Sequence, residues 1–173
     1  IKKNRDIKIV VIGGGDAGVE AALAISRMGK RCYMITMDTD SIGRMSCNPA
    51  IGGLAKGHLV REIDALGGIM GEAADLTSIQ FKTLNKSKGR AVRAPRAQVD
   101  KVKYSSYICH VINNDKNIRV ITGNVVDIAV DNYKIVGCSL SDGLYLSVTS
   151  IIVTAGTFLN GKIHIGMNNF SAG

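Results

Sequence analysis

The phrase Gly13-Gly14-Gly15-Asp16-Ala17-Gly18 constrains this chain more than any other, because it fixes how one strand hands over to one helix. It matches G-x-G-x-x-G, and its flanks supply the context that such a turn requires. Ile7-Lys8-Ile9-Val10-Val11-Ile12 precedes it as a nearly continuous β-branched run, the pattern of a strand buried on both faces of a parallel sheet. Val19–Met28 follows, rich in helix formers and closed by Gly29 as a C-cap. Arg31–Thr36 reads as the next strand, which completes a βαβ unit of about 30 residues. In that setting Gly13 permits the tight turn and Gly15 lets the backbone approach a pyrophosphate. Gly18 lets helix and strand pack closely, and the helix N-terminus offers N–H donors and a positive dipole end. The turn therefore predicts a dinucleotide site; a purely structural glycine turn fits the same letters but does not need this strand and helix around them.

An acidic ligand for a ribose is expected about 20 residues beyond the turn, at the end of the second strand. Asp38 and Asp40 lie near that place. Asp38 falls two residues past the expected strand end, so ribose contact and a solvated loop position both stay open.

The rest of the chain divides into an irregular stretch and a β-rich one. Asp38–Gly53 is a Gly/Ser/Asn/Pro-containing segment, followed by a helix over Leu54–Leu66 with Leu59, Ile63 and Leu66 on its inward face. Thr77–Ala97 reads as basic and irregular, and Gln98–Ile112 as an amphipathic helix with Val99, Val102, Ile108, Val111 and Ile112 inward. Strands are expected at Ile118–Thr122, Val125–Val130, Lys134–Cys138 and Leu144–Val148, separated by turn residues, with a last buried run at Ile151–Gly156. The fold class is thus α/β, a Rossmann-type domain with a parallel sheet and an inserted antiparallel β-meander, forming one domain over residues 1–173.

Charge and cysteine content narrow the partners. Lys and Arg number 22 against 14 Asp and Glu, a formal net charge of +8 that favours a phosphate-rich anion. The cations concentrate in Lys82, Lys86, Lys88, Arg90, Arg93 and Arg96, with no acid between Leu76 and Val99. That run reads as a phosphate cradle or as a solvated face, and its single aromatic, Phe81, adds little for base stacking. Of the cysteines, Cys32 and Cys138 fall on expected strands and Cys109 on an expected helix, where cysteine behaves as a small buried hydrophobe. Cys47 lies instead in the loop Ser46-Cys47-Asn48-Pro49, ahead of a helix and near Arg44 and Lys56, the setting of an activated thiol. No paired framework or metal-ligand spacing is present among cysteines or among His58, His110 and His164, so no metal site is expected and a reducing compartment fits. The apolar run after Lys2-Lys3 ends at the glycines, and no later stretch is long enough to span a bilayer, so no membrane role is expected.

Several longer phrases resemble the tRNA uridine-modifying flavoprotein family called MnmG or GidA. They are Ser46-Cys47-Asn48-Pro49-Ala50-Ile51-Gly52-Gly53 with Lys56-Gly57-His58-Leu59-Val60, then Ile63-Asp64-Ala65-Leu66-Gly67-Gly68, then Ser87-Lys88-Gly89 with Ala91-Val92-Arg93-Ala94 and Arg96-Ala97-Gln98. Gly156-Thr157-Phe158-Leu159 with Gly161-Lys162-Ile163-His164-Ile165-Gly166 carries the likeness to the C-terminal end.

The resemblance implies FAD as the bound dinucleotide and NADH as its reductant, bound in a region outside this chain. It implies tRNA as substrate, a homodimer, a partner GTPase of the MnmE type and methylene-tetrahydrofolate as carbon donor. The product would be a carboxymethylaminomethyl group on C5 of the wobble uridine, made in a cytoplasm or an organelle. By position, Gly13, Gly14, Gly15, Asp16, Ala17 and Gly18 would hold the FAD pyrophosphate and Val125 would contact the adenine side through its backbone. Cys47 would take part in the uridine chemistry, and Lys88, Arg93 and Arg96 would contact substrate or phosphate. The folate-dependent tRNA methyltransferase relative lacks the Ser46–Gly53 phrase; a non-catalytic flavin-binding protein is the alternative from another class. Three positions depart from the family: Arg90 and Pro95 replace Pro and Thr, and Asp16 stands where His is common. An anion at position 16 either weakens FAD affinity or turns harmlessly toward helix N–H groups. Family members are several times longer, so the sequence reads as the N-terminal FAD-domain portion, without the NADH-binding and helical C-terminal regions.

Overall fold

The computed structural model describes residues 7–45, 48–159 and 161–172. In chain order the elements are β1 (Ile9–Ile12), α1 (Asp16–Arg27), β2 (Cys32–Thr36), β3 (Ala50–Gly52), α2 (Lys56–Ala65), α3 (Met70–Thr77), β4 (Ser78–Leu84) and β5 (Ala94–Val99). They continue with α4 (Lys101–Asn114), β6 (Ile118–Thr122), β7 (Val125–Asp131), β8 (Lys134–Leu140), β9 (Tyr145–Leu146), β10 (Ser150–Val153), β11 (Gly161–Ile165) and β12 (Asn168–Ala172).

The organising unit is a four-stranded parallel sheet in the order β10-β1-β2-β6. Successive side chains on a strand point to opposite faces, and here both faces are covered. Val11, Cys32 and Met34 face a layer built from Val19 and Leu23 of α1, Ala73 of α3, and Tyr104, Ile108 and Ile112 of α4. Val10, Tyr33 and Ile35 face the other way, onto Cys138, Leu140 and Val148. That second layer is the antiparallel sheet β7-β8-β9, the meander expected from the sequence. A strand buried on both sides leaves no polar alternation, which is why β1 and β2 read as unbroken apolar runs.

Several segments differ from the sequence reading: α3 and the β11–β12 hairpin were not expected, and Gln98 and Val99, expected to open a helix, close β5 instead. The stretch expected to be irregular forms a hairpin, β4 pairing antiparallel with β5, and β3 pairs on the other side of β5. Most of β4 is exposed on both faces, so the strand carries no period-two signal to read. Of the α2 stripe expected to face inward, Leu59 and Leu66 lie outward, at 60% and 80% exposure, and Ile63 is half-buried. The helix is seated instead through Gly57, its buried residue, which lies beside Gly52 and Pro95 and donates its N–H to Gly53 O at 3.1 Å.

Helix α4 starts at Lys101 because the Asp100 carboxylate caps it, accepting from Val102 N at 3.0 Å and Lys103 N at 3.1 Å. Ile108 and Ile112 are buried as expected, whereas Val102 is exposed and Tyr104 takes an inward place. Truncating Ile108 to Ala is expected to cost about 2–5 kcal/mol in a denaturant titration, against less than about 0.5 kcal/mol for Val102→Ala. Equal losses at the two positions would contradict this assignment of the α4 faces.

Candidate functional site

The chain reverses its order of strand addition at β1: β2 and β6 lie on one side and β10 on the other. Such a switch point leaves a crevice beyond the carboxyl ends of the strands, and the glycine turn sits at that end of β1. Gly13 N donates to Ile35 O at 2.8 Å, and the adjacent Thr154 N donates to Ile12 O at 2.8 Å, which tie the turn to both neighbouring strands. Thr154 Oγ1 reinforces the second tie by donating to Ile12 O at 2.6 Å.

Each glycine answers a different spatial demand. Gly13 has φ +111°, and a Cβ there would stand 2.5 Å from Thr154 O. A Cβ on Gly18 would collide with the Gly13 carbonyl oxygen, so the helix lies directly against the turn. Gly15 meets nothing within 4 Å: its surface is open rather than packed. It also caps α1 without any side-chain bond, so no cap side chain takes up the first N–H groups of the helix. Closed at Gly13 and Gly18 and open at Gly15, the turn has the shape that a pyrophosphate approaching the backbone needs.

Asp16 is the first residue of α1, and its carboxylate does not turn toward the helix N–H groups as one expectation had it. Lys56 Nζ donates to Asp16 Oδ2 at 3.3 Å, and Tyr104 OH donates to Asp16 Oδ1 at 3.4 Å. Burial first, then the Asp16 charge, pushes the Tyr104 phenol well above its ordinary range, so it stays a donor. The sequence marked Lys56 only as a neighbour of Cys47 and did not mark Tyr104; they come from α2 and α4, and no local motif signals their convergence on Asp16.

The other expected positions are spread around this end of the sheet. Asp38 Oδ1 accepts from Asp40 N at 2.9 Å, capping a short 3₁₀ turn after β2. Val125 opens β7 just after Gly123, whose N–H donates to Thr36 O at 2.9 Å, which sets that corner at the end of β2. Arg96 lines a cavity of about 330 Å³ with Asn48, Gly52, Gly53 and Leu84. Lys88 and Arg93 stand apart from it on the exposed β4–β5 connection, where Arg93 Nη2 donates to Lys86 O at 3.2 Å. Cys47, the expected reactive thiol, lies outside the described residues. The other three cysteines are free thiols. Burial, with Asp115 second, pushes the Cys32 thiol up to about 11, and burial also raises Cys109 and Cys138. Among the described residues no cluster of three or more His, Cys, Asp or Glu is placed to share a metal ion, and no helix is long and apolar enough to cross a membrane.

A parallel sheet with a glycine turn at its switch point, helices on one face and a meander on the other, defines a dinucleotide-binding α/β domain. Comparison with known proteins gives the family: residues 8–173 match the model described as Glucose inhibited division protein A, and the chain belongs to that family. GidA from Aquifex aeolicus, in its form I crystal, is 53% identical with a TM-score of 0.91 over 95% of this chain. The form II crystal gives 53% and 0.90 over 96% of this chain. This chain spans 28% of the length of the Aquifex aeolicus protein. The GidA-related protein from Thermus thermophilus shares the fold at 12% identity, with a TM-score of 0.67 over 95% of this chain and 59% of that one.

Two outcomes follow from this geometry. Gly18→Ala, forced against the Gly13 carbonyl, is expected to cost at least about 1–3 kcal/mol in thermal or urea unfolding. Gly15→Ala is expected to cost less than about 1 kcal/mol, since only the N-cap preference is lost. Equal stability of the two variants would contradict the packing described.

Cys32 holds its proton in the folded chain up to about 11, whereas an exposed thiol loses it near 9.0. Its contribution to stability is therefore complete below pH 9 and lost as pH rises toward 11. Unfolding measured across that window should show stability falling with pH, and Cys32→Ala should flatten the fall; an unchanged slope would contradict the burial of this thiol.

Proposed function

We propose that this chain is the FAD-binding portion of a tRNA-modifying flavoprotein that builds the carboxymethylaminomethyl group at C5 of the wobble uridine, acting with a partner GTPase of the MnmE type. The observation that carries the reading is the open surface of Gly15 at the switch point, on a chain of this family. The turn Gly13–Gly18 binds the pyrophosphate through backbone N–H groups beyond Gly13, whose own N–H is held by Ile35 O, and the positive end of α1 adds its field. Val125 contacts the adenine side through its backbone, beside the corner at Thr36.

When bound, the flavin supplies redox chemistry, with NADH as its reductant and methylene-tetrahydrofolate as the carbon source. The NADH-binding and helical regions belong to the length of the family that this chain does not span. Cys47 takes part in the uridine chemistry. Arg96, on the wall shared with Asn48 and Gly52, faces the substrate side, while Lys88 and Arg93 on the hairpin meet phosphates of the RNA. The enzyme works as a homodimer in a cytoplasm or an organelle.

The full-length protein bearing this sequence should be yellow and release FAD on denaturation. Cys47→Ser should keep FAD yet abolish the modified wobble nucleoside, read by mass analysis of tRNA from cells carrying the variant. A colourless protein that cannot be reconstituted with FAD, or a gene deletion that leaves wobble nucleosides unchanged, would overturn the proposal.

A further inference from the structure

Asp16 places a negative charge in the turn that the FAD reading assigns to a pyrophosphate. At the first position of α1 a carboxylate suits the positive helix end, but a second anion beside it would be repelled. The pairing seen in the structure resolves that conflict. Lys56, at the first position of α2, reaches back across 40 residues of sequence to Asp16 Oδ2. Its path is fixed: β3 pairs with β5, and Gly57 N donates to Gly53 O at 3.1 Å, which sets the start of α2 beside the turn. Lys56 and Asp16 side chains are 39% and 32% exposed, so solvent screens the pair only in part. Tyr104, 1% exposed, holds the other carboxylate oxygen from below and keeps it oriented toward the ammonium.

We propose that Lys56 is the counter-charge that lets a glycine turn containing an aspartate bind a dinucleotide. Its ammonium neutralises Asp16, so the turn offers its N–H groups and helix dipole to the phosphates without a net negative charge. Lys56 is then a positioning and affinity-determining residue outside the glycine motif, reaching the cofactor site through Asp16. The inference rests on the FAD reading and extends it to a residue that the motif does not contain.

A plain tether between α1 and α2 would make the same contact, and the two roles differ in sign. For a tether, losing either partner loosens α2 and weakens binding. For a counter-charge, losing Lys56 exposes the anion and weakens binding, whereas losing the Asp16 charge leaves a free ammonium and strengthens it.

The test uses the full-length protein, stripped of flavin and titrated with FAD by fluorescence quenching at low and high salt, with melting curves run in parallel. K56M is expected to weaken FAD binding about tenfold at low salt, with the gap shrinking at high salt. D16N is expected to bind several-fold more tightly than the unaltered protein, and D16N/K56M to return within about threefold of it. An unaltered affinity in K56M, or a double variant as weak as K56M, would overturn the inference. Should K56M fail to fold, D16N decides alone: tighter binding supports the counter-charge, and equal or weaker binding overturns it. An unaltered protein that takes up no FAD at any salt would overturn the flavoprotein reading itself, before any variant is compared.

Discussion

The contact of Gly18 with the Gly13 carbonyl oxygen is the constraint on which the rest of the domain depends. It sets how closely α1 lies on β1, and so where Val19, Ala22 and Leu23 meet Val11 and Met34. The same turn is tied to β2 through Ile35 O, while Ile12 O beside it accepts from Thr154 after β10. One tight junction therefore aligns three strands and a helix. Because the neighbouring atoms are mostly backbone, they cannot yield as a side chain would.

That junction also explains the division of labour between the layers. The helices on one face of the sheet and the meander on the other bury apolar side chains and leave the strand ends free. The long excursion from β2 to β6 packs α3 and α4 into the core through Ala73, Ala74, Ile108 and Ile112. Its remaining parts, α2, β4 and the β4–β5 connection, keep most of their side chains in solvent, while β5 buries Ala94, Ala97 and Val99. Segments with so little buried apolar surface are positioned by a few hydrogen bonds, such as Gly57 N to Gly53 O.

Legibility in the sequence follows the same division. The βαβ unit could be read because burial on both faces leaves β1 and β2 as unbroken apolar runs, and the meander and β6 because turn residues bound their β-branched runs: β6 is found at Ile118–Thr122 as expected. The family, too, was legible, from phrases that are long and particular. Strand β4 and the outward face of α2 were not, since neither is buried enough for its pattern to carry meaning. Leu59 and Leu66 look like a core stripe in the sequence and stand in solvent in this chain. Asp16 was legible as an anomaly, whereas its partners were not: Lys56 is 40 residues away and Tyr104 is 88, and only the folded chain brings them together.

Electrostatics separates the two positive regions of the molecule by what they face. Lys56 is already paired, and among the described residues its bond to Asp16 is the one ion pair formed. The hairpin is different in kind. Lys82 and Arg96 lie directly opposite each other across β4 and β5, and Lys86, Lys88, Arg90 and Arg93 continue the charge through the connection. Like charges directly opposite each other across a strand pair are destabilising. With no acid between Leu76 and Val99, the segment has no local means of offsetting that repulsion. A polyanion laid along the hairpin would offset it while releasing its own counterions, so the repulsion tolerated in the free chain becomes part of the driving force for binding. Under the proposed function, the paired lysine and the basic hairpin would meet two anions of different size: a pyrophosphate approached by backbone N–H groups, and an extended nucleic-acid strand met by exposed side chains.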